Sequence, residues 1–208
     1  MTIAHDHDRA GHARDHLYAV PDEDLSARTK ALEQLLIDRG FLSVDAVDVI
    51  TAAYEHEISP LLGSKVVARA WVDADFKHAL LTDATAACRS LGVGGLQGEY
   101  LVAVENTDAV HNVVVCTLCS CYPWPVLGLP PRWYKAPPYR ARIVSNPRRT
   151  LRETFGLDLP DSITIKIWDS SSEIRYFVVP QRPAGTDGLS EDELVPLVGR
   201  DRMIGVAR

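Results

Sequence analysis

Cysteine is scarce in this 208-residue chain, and what there is cannot staple it: three of the four cysteines, Cys116, Cys119 and Cys121, fall within six residues. Neighbours that close cannot bridge distant segments, which excludes a disulfide-braced framework. An excess of positive charge is missing too. Twenty-two basic residues against 28 acidic ones leave a net charge of −6, which excludes bulk attraction to nucleic acid or to an anionic membrane and suits a small neutral substrate. No apolar run approaches the length of a membrane span, and Met1 to Leu17 is polar and acidic where a secretory signal needs an apolar core. A cytoplasmic protein with reduced thiols is expected.

What is present divides the chain into three. Residues 1–20 carry His5, His7, His12 and His16 among Asp and Arg and read as a disordered tail, although a His-rich tract can also capture transition metals. Leu25, Leu32, Leu35 and Leu36 predict a helix that Gly40 ends. Ser43 caps a second helix reaching about Glu57, Ser59-Pro60 opens a third, and another is expected over Lys77–Leu91. Residues 21–92 thus form a helical N-terminal arm suited to wrapping a partner, or else a core-facing bundle. The period then shortens. Tyr100–Val104 and Asn112–Cys116 read as strands, and Pro123, Pro125, Pro130 and Pro131 stiffen the segment beyond. Short helices follow near Pro138–Val144 and Pro147–Phe155. Ile163–Trp168 and Ile174–Val179, flanking Asp169-Ser170-Ser171-Ser172, predict a β-hairpin, and Ser190 with Glu193 a capping box for a last helix to about Val198. The expected class is α+β, with the arm ahead of a layered α/β/β/α domain over 93–208.

The cysteine cluster lies where the second strand meets the Pro-rich turn. A Cys-x-x-Cys pair already holds a soft or borderline metal from one side, and with only Ser120 between Cys119 and Cys121 their sulfurs lie close to the amide nitrogens of Ser120 and Cys121. One ion could be chelated by both kinds of atom. A structural zinc site needs a second pair of ligands, and Cys88 is the only other cysteine. It reads as a small buried hydrophobe on a helix. His111 reads as a satisfied histidine at a strand start, and Ser120 has no local His or Asp pattern that would make it a hydrolase nucleophile.

The run from Val115 to Pro131, VCTLCSCYPWPVLGLPP, followed by Trp133-Tyr134-Lys135, resembles the metal-binding signature of the nitrile hydratase α subunit. The likeness continues in Gln97-Gly98-Glu99, Val110-His111-Asn112, Tyr139-Arg140-Ala141-Arg142, Arg175-Tyr176 and Arg200-Asp201, and spans roughly residues 24–207. It implies hydration of a nitrile to an amide at a non-corrin Co(III) or non-haem Fe(III) centre. The implied ligands are an axial thiolate at Cys116, equatorial sulfurs at Cys119 and Cys121, and amidate nitrogens at Ser120 and Cys121, with the sixth position open. Thr117 stands where cobalt-type members carry Thr and iron-type members Ser, so cobalt is favoured over iron. Cys119 is implied to be a sulfinate and Cys121 a sulfenate whose oxygen serves as nucleophile or base beside a Lewis-acidic metal.

The same resemblance makes Gln97 an active-site residue, Trp124 a pocket wall and Glu99 a buttress of the loop. Trp124 could equally pack beneath the Pro-rich segment, and Arg140 and Arg142 read as structural or interface ion pairs. The claw's sequence neighbours offer no Arg or Lys for oxidised sulfurs, so the resemblance implies arginines from a β-type subunit in a hetero-oligomer, and an activator protein to deliver metal. Two alternatives stand beside this reading. One is the metal subunit of thiocyanate hydrolase, which shares the claw but has Arg in place of Trp124. The other is a metal-carrying subunit without turnover. The short tail after Ile204-Gly205-Val206 would suit an enzyme split over several chains.

Overall fold

The computed structural model describes residues 22–52, 60–94, 100–119 and 121–208. The His-rich tail, the helix end expected near Glu57 and Ser59 lie outside them. Helix α1 (Asp22–Asp38) ends as its glycine requires: Gly40 takes φ +72°, and the amides of Gly40 and Phe41 turn back onto the carbonyls of Ile37 and Leu36. Ser43 Oγ accepts the amide of Ala46 at 3.2 Å and starts α2 (Val44–Ala52). The two helices and the turn between them leave large apolar side chains in the open, with Leu32 57%, Phe41 75% and Val49 68% exposed.

Helix α3 (Pro60–Val72) is instead a core element, with Val66 and Val67 fully buried. It packs on α6 (Trp124–Leu127), the turn just past the claw, and on α10 (Glu191–Val198). A Cβ on Gly63 would overlap the carbonyl oxygen of Val126, so glycine lets α3 and α6 touch. Arg69 ties α3 to α10 through Glu191 at 3.0 Å. The single helix expected over 77–91 is corrected to two, α4 (Ala74–Thr82) and α5 (Ala84–Ser90). Asp83 divides them: its amide closes α4 on the Ala79 carbonyl, while its carboxylate caps α5 at the amide of Ala86, 2.9 Å away.

Strands β1 (Tyr100–Glu105), β2 (Val110–Val115), β3 (Thr164–Asp169) and β4 (Ile174–Val179) form where strands are expected, but the expected hairpin between the last two is wrong. Strand β4 pairs in parallel with β1, and β3 in parallel with β2. Two alternating strands joined by a polar turn carry a hairpin's pattern whatever they pair with; here each short connection crosses from one sheet to the other. Ser170 sits at that crossing, its amide on the Val115 carbonyl at 2.7 Å and its hydroxyl accepting the amide of Tyr176 at 3.3 Å.

Alternation then builds the layers. Val102, Val104, Tyr176 and Val178 of one sheet meet Val114 and Trp168 of the other, with the Trp168 and Tyr176 rings 5.1 Å apart. The opposite faces, Leu101, Ala103 and Phe177 on one side and Val113, Val115 and Ile167 on the other, join the main core with the helices. Helices α4 and α5 cover β1, and α9 (Pro147–Phe155) covers β3. The fold is α+β, with helices outside two facing sheets. Helix α7 (Arg132–Lys135), α8 (Pro137–Ser145) and α11 (Arg200–Ile204) complete it. Ser190 and Glu193 make the expected capping box at the start of α10. Among the described residues no helix is long and apolar enough to cross a membrane.

Candidate metal centre

Strand β2 delivers Cys116, fully buried, to the edge of the core, and the chain then loops outward through exposed Thr117, Leu118 and Cys119 before Cys121 returns to a buried position. The three sulfurs converge: Cys116 and Cys119 are 3.5 Å apart, Cys119 and Cys121 3.1 Å, and all three lie within 4.8 Å of one another. The amide of Cys119 also donates to the Cys116 sulfur at 3.2 Å.

Four groups from far along the chain hold this loop. Register places Asp169 beside Val115 across the parallel β2–β3 pair, and its carboxylate accepts the Thr117 amide at 2.9 Å and the Thr117 hydroxyl at 2.5 Å. Arg140 Nη1 donates to the Cys119 carbonyl at 2.8 Å, and the Tyr134 hydroxyl to that of Cys121 at 2.9 Å. Tyr139 donates to the Val114 carbonyl at 3.1 Å, two residues before Cys116. The rings behind these hydroxyls interlock edge to face, Tyr122 with Tyr134 at 4.9 Å and Trp133 with Tyr139 at 4.9 Å. Burial holds the Tyr134 hydroxyl well above the ordinary phenol range, so it stays a donor.

Burial, reinforced by hydrogen bonds to Cys119 and Cys116, pushes the Cys121 thiol up to about 12, against an opposing pull from Arg175. Arg175 brings buried Nε and Nη1 atoms that have no hydrogen-bond partner among the described residues. The chain therefore does bring arginines to the claw, Arg140 and Arg175, from positions no local reading could find. Asp169 was legible only as a turn residue, because its role follows from strand register.

Trp124 opens α6 half-buried, with Lys135 Nζ 5.7 Å from its ring centroid. His111 lies at the far end of β2, its Nε2 donating to the Gly205 carbonyl at 2.8 Å and Nδ1 facing the Asn106 amide at 3.3 Å, which makes it a satisfied core residue. Cys88 is buried, and burial alone pushes its thiol up to about 12. Ser120, Gln97 and Glu99 lie outside the described residues.

The donor set suits a thiophilic ion. Among the described residues no fourth Cys, His or carboxylate joins the three sulfurs, so side chains alone do not complete the closed tetrahedron of a structural zinc site. An ion that also accepts backbone nitrogen fits.

Comparison with known proteins agrees with this geometry. The family described as nitrile hydratase, alpha chain, matches residues 23–207. The low-molecular weight cobalt-containing nitrile hydratase subunit alpha of Rhodococcus rhodochrous is 60% identical over 186 residues, 89% of each chain. A double mutant of the Fe-type nitrile hydratase from Comamonas testosteroni Ni1 superposes with a TM-score of 0.85 at 41% identity, covering 91% of this chain and 92% of that one. Thiocyanate hydrolase subunit gamma of Thiobacillus thioparus is more distant, 40% identical over 195 residues, 88% of this chain and 79% of that one. With a thiol claw at a strand end and a family match over nearly its whole length, the chain belongs to the nitrile hydratase α-chain family.

Proposed function

We propose that this chain is the metal-carrying subunit of a nitrile hydratase, adding water to a small nitrile to give the amide, with cobalt held by Cys116, Cys119 and Cys121 and by the backbone nitrogens of Ser120 and Cys121. The observation that carries the reading is the set of three sulfurs within 4.8 Å on a braced loop without a fourth side-chain donor among the described residues. The 60% identity to a cobalt-containing α subunit favours cobalt over iron. When bound, the metal supplies Lewis acidity toward the nitrile.

The chain's own residues do the rest. Asp169, Arg140 and Tyr134 fix the loop so that the sulfurs keep their spacing. Cys119 and Cys121 act in oxidised form, as sulfinate and sulfenate, the sulfenate oxygen of Cys121 serving as nucleophile or base. Ser120 and Gln97 complete the polar set, and Trp124 walls the substrate side. A half-buried neutral indole suits an uncharged nitrile better than the thiocyanate anion.

A β-type subunit covers the apolar side chains that α1 and α2 leave exposed and completes a hetero-oligomer. An activator protein loads the metal. Four free cysteines suit the reducing cytoplasm.

The test is co-expression with a β-type partner and cobalt, followed by metal analysis and assays with a nitrile and with thiocyanate. One cobalt ion per α chain and amide formation are expected, both lost in Cys116→Ala. Zinc in four-coordinate geometry, or faster turnover of thiocyanate than of nitrile, overturns the reading.

A further inference from the structure

Strand β2 ends at the claw, and its other end, about 16 Å away at a strand's rise per residue, borders a second concavity. A cavity of about 590 Å³ opens between the ends of β1 and β4 and the start of β2, a size typical of small-molecule sites. Among the described residues three arginine side chains line it, Arg182, Arg202 and Arg208, against one side-chain carboxylate, Asp108.

Most of these polar groups are already committed. Arg182 is fixed by the Thr186 hydroxyl at 3.1 Å, the Trp71 carbonyl at 3.2 Å and the Thr186 carbonyl at 2.5 Å, so it is a rigid positive wall. Asp108 accepts from Gln181 Nε2 at 2.8 Å. His111 has both ring nitrogens engaged and contributes no free donor. Arg202 differs. It is half-buried, burial pulls its guanidinium below the ordinary arginine range, and no carboxylate or carbonyl among the described residues accepts from its side chain. A half-buried guanidinium that no such acceptor engages is open to an anion, with which it forms charge-assisted hydrogen bonds. Next to the cations, Pro180, Pro183 and Ala184 provide an apolar wall.

We propose that this cavity binds a small organic carboxylate, Arg202 taking the carboxylate and the Pro180, Pro183 and Ala184 wall its carbon body. The site is separate from the claw and does not depend on what reaction the claw performs.

The experiment is ligand-observed NMR titration of isobutyrate into the assembled complex, with isobutyramide as its neutral match. Isobutyrate binds the wild type, isobutyramide fails to displace it, and Arg202→Gln weakens binding about tenfold, the worth of one charged hydrogen bond. Arg202→Lys, which keeps the charge, retains part of the affinity. Ala184→Glu, at an exposed position, places a competing carboxylate in the cavity and abolishes binding, which keeps the test informative if Arg202→Gln does not fold. Undiminished isobutyrate binding in both Arg202→Gln and Ala184→Glu, or isobutyramide binding that Arg202→Gln weakens to the same degree, overturns the proposal. So does inorganic phosphate binding where isobutyrate does not.

Discussion

One carboxylate holds Thr117 twice: Asp169 accepts from both its amide, at 2.9 Å, and its hydroxyl, at 2.5 Å, across 52 residues of sequence. Removing one outer partner of a metal ligand set typically lowers metal affinity about 10- to 100-fold. Asp169→Asn is therefore expected to lose cobalt to a chelator at least tenfold faster than wild type while melting within a few degrees of it. Equal retention would mean that Tyr134 and Arg140 hold the loop unaided.

A second prediction concerns packing rather than chemistry. A methyl at Gly63 collides with the backbone carbonyl of Val126, which cannot rotate away as a side chain could. Gly63→Ala is expected to cost about 1–3 kcal/mol, read as a lower urea midpoint, and to disturb the turn that follows the claw. Gly188→Ala, which meets nothing within 4 Å, is the matched control and should leave the midpoint almost unmoved.

His111 makes stability depend on pH. Burial holds its imidazole below the ordinary histidine value, outweighing the opposing effect of its bond to Gly205, and Arg208 lowers it further. The unfolded chain therefore takes up the proton first. Above pH 6.5 the residue is neutral in both states and costs nothing; as pH falls from 6.5 toward the folded value, stability drops by at most about 1.4 kcal/mol per pH unit. Urea titrations at pH 7.5 and 5.5 should show a larger loss for wild type than for His111→Gln.

Trp124→Arg tests the pocket wall. The variant should hydrate nitriles more slowly and gain on thiocyanate relative to wild type, assayed at equal substrate concentration. Unchanged selectivity would return Trp124 to the packing role that its half-buried position also allows.

Residues that act through their neighbours in sequence were the legible ones. The convergence of the three cysteine sulfurs, the turn at Gly40, the Ser43 cap and the Ser190–Glu193 box each depend on a few consecutive positions, and each forms as expected. The pairing of β3 and β4 was not legible, because alternation records which face of a strand is buried and says nothing about its neighbour. The loop's supports were hidden for the same reason. Asp169 reaches Thr117 only through the register of β2 with β3, and Arg175 comes to Cys121 from the strand beyond. Asp83, which ends one helix and begins the next, was lost inside an otherwise continuous helical pattern.

The parallel pairing of β2 with β3 also sets an order of events during synthesis. When the ribosome has just made Cys121, the thiols exist but Tyr134, Arg140 and Asp169 do not, and the strand that positions Asp169 is still some forty residues from the peptidyl-transferase centre. A nascent chain at that stage carries three neighbouring thiols on a segment whose braces have not yet been made. The claw takes its final spacing only after a long-range strand pair closes, a contact that is slow to form because of its separation in sequence. Metal loading into the finished geometry is thus necessarily a late event in the birth of this subunit.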